Sequence, residues 1–427
     1  MKYTDAQIKA INQGRAPAIV SAGAGSGKTA VLTQRVIRMI CDKSENIDPS
    51  KIVVVTFTVK AADELKARLD ALMRQRINEA VSSADVRFLR NQRMKLRKAR
   101  ISTISSFCIS LLRENIDLAD NISAGFSVID ETAGDALKND VLSDMLEDFY
   151  ANGDKDDKET VVENYIVKDD SRLRQLILNI HAKALNHTNP EKWLDRTDDP
   201  QIMQDIKKKL ISLAGMYAER FESEAAGLDS AIAEYDGGTK DNDGAITKHG
   251  DYAQGIKDSY GKAVTALVKN GFCIDDTVKG YIASFPKERA PQDRSAVKLV
   301  KAHREGVKSI FEKYLKKTCE KITSFESDMD KSLPAVTALK NLVLRFDKAY
   351  CEEKQRRNCA DFSDAERGVY RMLCENGEKV RERSGFSLII VDEFQDSNEL
   401  QYEIFRMLTE SKQGLYFVGD IKQSIYG

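Results

Sequence analysis

The chain has 427 residues, of which 42% are apolar, and this is enough to form two or three domains with buried cores. Its 66 basic and 67 acidic residues give a net charge of −1, so any affinity for nucleic acid must come from local patches. Seven scattered cysteines without a C-x-x-C pair support neither a disulfide framework nor a zinc site, and the lack of a long apolar run predicts a cytoplasmic protein with no membrane partner.

Three strand–helix pairs are predicted in the first part of the chain. The sequence "APAIVSAGAGSGKTAVLTQRVIRMI" has the pattern of a short apolar strand, a glycine-rich turn and a helix. The run "KIVVVTFT" predicts a second strand before the helical "VKAADELKARLDALMRQRI", and "ARISTIS" predicts a third before "SFCISLLREN". Such alternation is typical of a parallel sheet covered by helices.

The alternation then stops, and apolar residues follow helical spacing, as in Val141, Met145 and Phe149. This pattern predicts an all-α domain inserted at residues 116–374. The stretch "EYDGGTKDNDGAITKHGDYAQG" is rich in Gly, Asp and Asn, and it predicts an exposed loop between two helices.

Strand character returns in "FSLIIVDEFQD", which is followed by a helix from about Asn398 to Thr409 and by the strand "GLYFVGD". We therefore expect one α/β domain, with a parallel sheet flanked by helices, to be formed by residues 1–115 and 375–427. The inserted domain interrupts it.

The sequence "AGAGSGKT" follows a strand and opens a helix, which is the context that a phosphate-binding loop requires. Glycines let backbone N–H groups turn toward a polyphosphate, and the helix N-terminus adds a partial positive charge. Lys28 would reach the β and γ phosphates of ATP, and Thr29 would bind Mg²⁺. The residues expected to hold the nucleotide are Ala22, Gly23, Ala24, Gly25, Ser26, Gly27, Lys28 and Thr29; Ala22 stands where the simple pattern has a glycine.

The sequence "LIIVDEFQD" predicts the second half of a nucleotide site, because a buried strand delivers two carboxylates at its C-terminal end. Asp392 would hold Mg²⁺, and Glu393 would orient or deprotonate the attacking water. ATPases of the chromosome-maintenance and transporter kind also separate these two motifs widely. Their Ser-Gly-Gly-Gln signature before the acidic strand has no counterpart in "ENGEKVRERSGFS".

Six segments, in this order, resemble the motifs of superfamily 1 helicases of the UvrD/Rep type: "TDAQ", "SAGAGSGKT", "VVTFTVKAADELKARL", "ISTISSFC", "VDEFQD" and "VGDIKQSIY". The stretches "GFSVIDETAGDALKNDVLSDMLEDFY" and "DFSDAERGVYRML" look more narrowly like the AddA helicase-nuclease subunits. The resemblance implies a RecA-like fold and ATP-driven translocation on single-stranded DNA with unwinding of duplex DNA. It also implies a role in processing double-strand breaks with an AddB-like partner subunit.

The resemblance also assigns roles to individual residues. Gln7 would recognise the adenine edge, and Gln423 would sense the γ-phosphate as a catalytic residue beside Lys28, Asp392 and Glu393. Residues implied to contact DNA are Thr56, Phe57, Thr58, Ser105, Ser106 and Phe107. Ser105 departs from the family, which usually has His there, so a ring contact is lost while a hydroxyl can still bond a phosphate.

Two questions stay open at this point. The basic run "RFLRNQRMKLRKAR" is either a phosphate-binding patch or a solvated helix face. The protein is either a helicase with a nuclease, a plain UvrD-type repair helicase, or a nucleotide- and DNA-binding module without turnover. Members of the family continue past "QSIY" with a second RecA-like domain that completes the ATP site. We therefore expect this chain to be the N-terminal motor half of a longer protein, nearly inactive in isolation.

Overall fold

The structure is a computed structural model, and it describes residues 3–14, 16–23, 25–45, 47–119, 122–236, 245–285, 298–409 and 414–420. The chain forms two compact units, one made of Met1–Leu194 with Leu339–Gly427 and the other of Asp195–Ala338. Among the described residues, no helix combines the length and apolar character needed to span a membrane.

The first unit contains a sheet of five parallel strands in the order β1-β7-β6-β2-β3 and a separate pair, β4-β5. The strands are β1 (Ala18–Ser21), β2 (Ile52–Thr56), β3 (Arg100–Thr103), β4 (Ser127–Val128), β5 (Cys359–Ala360), β6 (Leu388–Val391) and β7 (Leu415–Gly419). The late strand β6 lies between β2 and β7 and pairs with both, which confirms that the chain resumes its first sheet.

The helices that precede β6 are α1 (Asp5–Asn12), α2 (Lys28–Cys41), α3 (Val59–Glu79), α4 (Ser83–Leu96), α5 (Ile104–Glu114), α6 (Glu131–Asn152), α7 (Lys155–Tyr165), α8 (Ser171–Ala184), α9 (Pro190–Leu194), α10 (Pro200–Asp236), α11 (Ala245–Lys269), α12 (Asp276–Ala283), α13 (Lys298–Ser309), α14 (Lys316–Arg356) and α15 (Phe362–Ser384). A π-helical segment, Ile310–Leu315, joins α13 to α14, and α16 (Glu399–Leu408) follows β6.

Helices cover both faces of the five-stranded sheet. Val54 and Ile390 belong to a core with the buried side chains of α2, α3 and α4, such as Val36. Their neighbours Val55 and Val391 belong to a second core with α5, α15 and α16. Successive strand residues point to opposite faces, so a strand buried on both sides must be apolar throughout. This explains the continuous apolar runs in the sequence.

The region predicted as an all-α insertion is not wholly helical, because β4 and β5 pair in parallel, with Ser127 opposite Cys359. The division between the two units falls at residues 194/195 and 338/339, while the domain limits at 116 and 374 stay a prediction. Within 195–338, every described element is helical.

The predicted exposed loop is shorter than expected. Helix α10 continues to Asp236 and α11 already begins at Ala245, while 237–244 lie outside the described residues. Ala253, Ile256 and Tyr260 recur every three or four residues and are buried, so they form an apolar helix face. Packing of that face outweighs the glycine-rich local composition.

The second unit packs α10 closely against α13. The imidazole Nδ1 of His303 lies 2.9 Å from the carboxylate of Glu224. A Cβ on Gly227 would come within 2.7 Å of the His303 ring, and a Cβ on Gly306 would overlap the carboxylate of Glu224. The two glycines therefore leave the space that this pair occupies.

A buried arginine on α2 holds the end of α1 next to β7. Arg35, on α2, is 1% exposed, and its guanidinium donates to the carbonyls of Ala10, Gln13 and Gly14 at the end of α1. The same group lies 4.1 Å from the centre of the Tyr416 ring. The last carbonyls of a helix have no partner within the helix, so the arginine satisfies groups that would otherwise be buried without hydrogen bonds.

Replacing this arginine by lysine should destabilise the protein. In Arg35→Lys an ammonium group replaces the planar guanidinium and leaves at least one carbonyl without a hydrogen bond. We therefore expect the free energy of unfolding to fall by about 2 to 3 kcal/mol. Urea denaturation would measure it. Arg38→Lys is the matched control, because the Arg38 side chain is 32% exposed and makes only two long ion pairs, of 3.7 and 4.0 Å, worth under about 1 kcal/mol. Equal losses in the two variants would contradict the role given to Arg35.

Candidate active site

The carboxyl ends of the parallel strands bring the two halves of the candidate site together. The glycine-rich loop follows β1, Asp392 and Glu393 follow β6, and Asp420 follows β7. The backbone N–H of Asp392 donates to the carbonyl of Val55 (2.9 Å), which continues the pairing of β6 with β2. This edge is where ligands bind in open parallel sheets.

The loop after β1 has the backbone geometry of a phosphate cradle. Gly25 and Gly27 have φ angles of 73° and 81°, a region that residues with a Cβ rarely adopt. Gly27 is also the N-cap of α2, whose first residue is Lys28. Ala22 does not have a positive φ, and its N–H donates to the carbonyl of Gly419 (2.9 Å), so alanine fits there without strain. Ala24 lies outside the described residues.

Gln7 contacts the loop directly. Its Nε2 donates to the carbonyl of Ser26 (2.8 Å), while its Oε1 accepts from the backbone N–H of Thr4 (2.8 Å) in a capping box at the start of α1. The structure therefore brings Gln7 to the glycine-rich loop of the predicted nucleotide site, although both ends of the amide are engaged. Its role in binding adenine stays a prediction.

An ion pair joins the two predicted halves of the nucleotide site. The Lys28 Nζ lies 3.0 Å from Oε2 of Glu393, with the two side chains 11% and 39% exposed. Glu393 has a φ of 53°. A residue with a Cβ rarely adopts this conformation unless the surrounding structure imposes it, and such strain clusters at functional sites.

Gln395 holds this acid against the end of β7, and the sequence did not indicate that role. Its Nε2 donates to Oε2 of Glu393 (2.9 Å), and its Oε1 accepts from the backbone N–H of Asp420 (2.9 Å). A Cβ on Gly419 would lie 2.6 Å from that Oε1, so glycine is required for the approach. Gln423, predicted as the γ-phosphate sensor, lies outside the described residues.

The two carboxylates differ in their electrostatic environment. Burial, and then the neighbouring charge of Glu393, raise the pKa of Asp392 to about 6. Burial also tends to raise the pKa of Glu393, but hydrogen bonds from Gln395 and Lys28 outweigh it and leave the pKa below its usual value. Glu393 is therefore an ionised carboxylate at neutral pH, and Asp392 is a desolvated one that a cation would stabilise.

These residues fit a divalent cation only if a ligand supplies further oxygens. Among the described residues, no group of three or more His, Cys, Asp or Glu side chains could hold a metal. The hydroxyl of Thr29 and the carboxylate of Asp392 are hard oxygen donors of the kind that Mg²⁺ binds together with substrate phosphates.

Phe57 is the exposed aromatic residue among the predicted DNA contacts. It follows β2 at the same sheet edge and is 52% exposed. Thr58 accepts from the N–H of Ala61 and caps α3, while Thr56 is buried and donates to the carbonyl of Thr58. The two threonines thus fix the turn that presents Phe57.

The serine segment after β3 differs from its prediction in one residue. Phe107 is 1% exposed and packs against Phe386 and Phe405, so its ring has no free face for a base. Ser106 is exposed. The hydroxyl of Ser105 donates to Glu366 (3.1 Å), a buried acid on α15 that no sequence pattern singled out.

The basic run lies near the amino ends of the strands, on the side of the sheet opposite to the candidate site. Lys95, on α4, pairs with Asp48 just before β2 begins, and Asp85, at the start of α4, pairs with Lys43 just after α2 ends. The carboxyl ends of the strands are at the other end of these elements. The geometry favours a solvated helix face over a contact with DNA bound at the Phe57 edge.

Comparison with known proteins gives the family. The profile described as "UvrD/REP helicase N-terminal domain" matches residues 3–427. The chain belongs to this family. It is 31% identical to an "ATP-dependent helicase/nuclease" subunit of Acetivibrio thermocellus and 30% identical to the proteins of the same name in Clostridium perfringens and Geobacillus thermodenitrificans. These alignments cover 100% of the chain but only 34 to 35% of each relative. The UvrD/Rep family predicted from the ordered motifs is confirmed.

Asp392→Asn should make the nucleotide-free protein more stable. At pH 7.5, above the raised pKa, Asp392 is ionised, and burial of its charge destabilises the folded state. An Asn side chain carries no charge, and its oxygen can still accept a hydrogen bond from the N–H of Glu393. Each unit of pKa shift corresponds to about 1.4 kcal/mol, so we expect a gain of about 1 to 3 kcal/mol, measured by urea denaturation with EDTA.

The same variant should bind Mg-ATP more weakly than the wild type in a titration with a fluorescent ATP analogue. Asp63→Asn, which removes an exposed carboxylate on α3, is the control and should change neither value. A destabilised Asp392→Asn protein would show that the carboxylate serves the fold.

Proposed function

We propose that the full-length protein is an ATP-dependent DNA helicase that translocates on single-stranded DNA and unwinds duplex DNA. The observation that carries this proposal is the contact between Lys28, at the start of α2, and Glu393, after β6, at the edge where the sheet's strands end. We further propose that the sheet is a RecA-like motor domain and that 116–374 form a helical domain inserted into it.

The ion pair between Lys28 and Glu393 is the resting arrangement of the site. When the phosphates of ATP enter the loop, their charge competes for Lys28 and releases Glu393, which Gln395 continues to hold. The freed carboxylate, still held by Gln395, can accept a proton from the attacking water. Thr29 and Asp392 would hold Mg²⁺, which when bound neutralises charge on the β and γ phosphates.

Single-stranded DNA would bind along the same edge of the sheet. Phe57 is exposed beside the nucleotide site, and an aromatic ring there can stack on a base of any identity. Ser106 provides an exposed hydroxyl at the N-terminus of α5, where a phosphate is favoured by the helix dipole, while the hydroxyl of Ser105 is engaged with Glu366. Because ATP and DNA would both bind at the carboxyl ends of neighbouring strands, a change at the nucleotide on hydrolysis could be transmitted to the DNA over a short distance.

We extend the proposal to a helicase-nuclease subunit that processes double-strand breaks in the cytoplasm with an AddB-like partner. The relatives' name, which describes an ATP-dependent helicase/nuclease and one of its subunits, supports this extension. The chain spans about a third of their length, so nuclease activity, duplex unwinding and the partner concern the whole protein.

Two substitutions separate binding from hydrolysis. Lys28→Ala should abolish detectable Mg-ATP binding because it removes the cation that contacts the β and γ phosphates. Glu393→Gln should leave binding nearly intact and lower hydrolysis at least about 100-fold, because an amide cannot accept the proton of water. Calorimetry and phosphate release on the full-length protein measure both. Normal turnover in Glu393→Gln would remove this residue from its role.

The DNA prediction contrasts an exposed ring with a set of exposed charges. Phe57→Ala should weaken single-stranded DNA binding at every salt concentration, by about 1 to 3 kcal/mol. The triple variant Arg87→Ala, Arg90→Ala, Arg97→Ala should leave the slope of log K against log salt unchanged. Each lost phosphate contact would flatten that slope by about 0.7, so a change of about 2 would place the basic run on DNA. Fluorescence anisotropy with a labelled oligonucleotide is the measurement.

A further inference from the structure

A cavity of about 250 Å³ lies in the first unit, between α8, α14, α15 and the segment before β4. None of its lining residues belongs to the nucleotide site or to the predicted DNA contacts. The charged or ionisable side chains that line it are His181, Asp347, Cys351, Lys354, Cys359, Asp364, Arg367 and Arg371. An imidazole ring, carboxylates and guanidinium groups thus line one cavity, and the proposed helicase function does not use it.

The acids of the cavity already have partners. Nε2 of His181 lies 2.9 Å from the carboxylate of Asp347. The ammonium of Lys354 donates to Asp364 (2.6 Å) and to Asp361 (3.3 Å), and Lys354 is 4% exposed. Asp361 and Asp364 also form the capping box that begins α15. These five residues form a satisfied structural network, which leaves the two arginines.

Arg367 is a cation without a hydrogen bond. Its Nη1 is buried with no hydrogen-bond partner, and the structure gives its guanidinium no ion pair among the described residues. A buried nitrogen without a partner also occurs in Arg35, Arg38, Arg100 and Arg381. In Arg35, Arg100 and Arg381 other nitrogens donate to carbonyls or to a carboxylate, and Arg38 forms ion pairs with Asp42 and Glu45.

Arg371 adds a second positive charge on the same side of α15. It lies four residues after Arg367, lines the same cavity and is exposed, so it stands at the open side. Burial, followed by the charge of Arg371, lowers the pKa of Arg367, while the charges of Asp347 and Asp364 act in the opposite direction. Those two carboxylates hydrogen-bond to His181 and Lys354 and make no hydrogen bond to Arg367. A partly buried cation that faces a like charge and makes no hydrogen bond is unfavourable in the absence of an anion.

We propose that this cavity binds a phosphate group, with Arg367 and Arg371 as its ligands. Guanidinium groups present parallel N–H donors that match phosphate oxygens, and phosphate has enough oxygens for both arginines at once. The cavity is smaller than the roughly 300 to 1,000 Å³ of sites for whole small molecules, so it fits one phosphate better than a complete nucleotide. The group would come from free phosphate or from the backbone of a DNA strand.

The test uses the full-length protein carrying Lys28→Ala, so that phosphate bound at the glycine-rich loop does not contribute. Inorganic phosphate is titrated against chloride at constant ionic strength, with the melting temperature as readout. Phosphate should raise the melting temperature, and Arg367→Gln should weaken its binding about 10- to 100-fold, as expected for lost charge-assisted hydrogen bonds. Arg371→Gln, at the exposed position, should also weaken binding while posing less risk to the fold.

The stability of Arg367→Gln in chloride separates a binding role from a structural one. A ligand-binding arginine leaves an unpaired buried charge in the empty protein, so its removal should keep the melting temperature equal or raise it. Arg172→Gln removes an exposed arginine from α8 outside the cavity and should change neither phosphate binding nor stability. A lower melting temperature for Arg367→Gln together with unchanged phosphate binding would overturn the proposal, as would a parent protein that phosphate does not stabilise.

Two further arms identify the source of the phosphate. If Arg367→Gln weakens binding of a labelled single-stranded oligonucleotide and flattens its salt slope by about 0.7, the phosphate belongs to the DNA backbone. If DNA binding is unchanged while stabilisation by inorganic phosphate is lost, the site takes free phosphate. Equal stabilisation by malonate, a dicarboxylate, would overturn the assignment to phosphate.

Discussion

The placement of β6 between β2 and β7 is the constraint on which the candidate site depends. Ile390 pairs with Val54 on one side and with Tyr416 on the other. Because the strands are parallel, this register brings every carboxyl end to one edge, and residues far apart in the chain become neighbours there. The ion pair between Lys28 and Glu393 is a consequence of that strand order.

The site at this edge is built from interactions that a stable fold alone would not select. Glu393 adopts a left-handed backbone conformation, and Asp392 is held as a desolvated carboxylate beside it. Gln395 keeps the acid in place through an amide that also binds the end of β7. Strain and like charge at one position are tolerated because the surrounding sheet is buried on both faces. This arrangement supports the proposal that the site binds a polyphosphate with its cation.

Two buried cations, Arg35 and Lys354, and the partly buried Arg367 show that the surroundings of a charge decide its role. Arg35 satisfies three carbonyls and holds α1 in place, and Lys354 is shared by two carboxylates at the start of α15. Both are structural, because the groups that contact them are paired. Arg367 differs, since its guanidinium makes no hydrogen bond to any described residue and its neighbour Arg371 carries the same charge. The contrast between satisfied and unsatisfied burial, rather than residue type, distinguishes a structural cation from a candidate ligand site.

The sequence by itself determined the five strands of the main sheet, the helices α2, α3, α5 and α16, the glycine-rich loop and the acid pair after β6, because periodicity, turn residues and flanking strands are local properties. Only the tertiary structure decided that Phe107 is core, that α10 and α11 extend into the predicted loop, and that the basic run lies away from Phe57. It also supplied the partners of Arg35, Gln395 and Glu366. Each of these depends on contacts between residues distant in the chain, and no local pattern encodes which strands become neighbours or which polar groups are left without a partner.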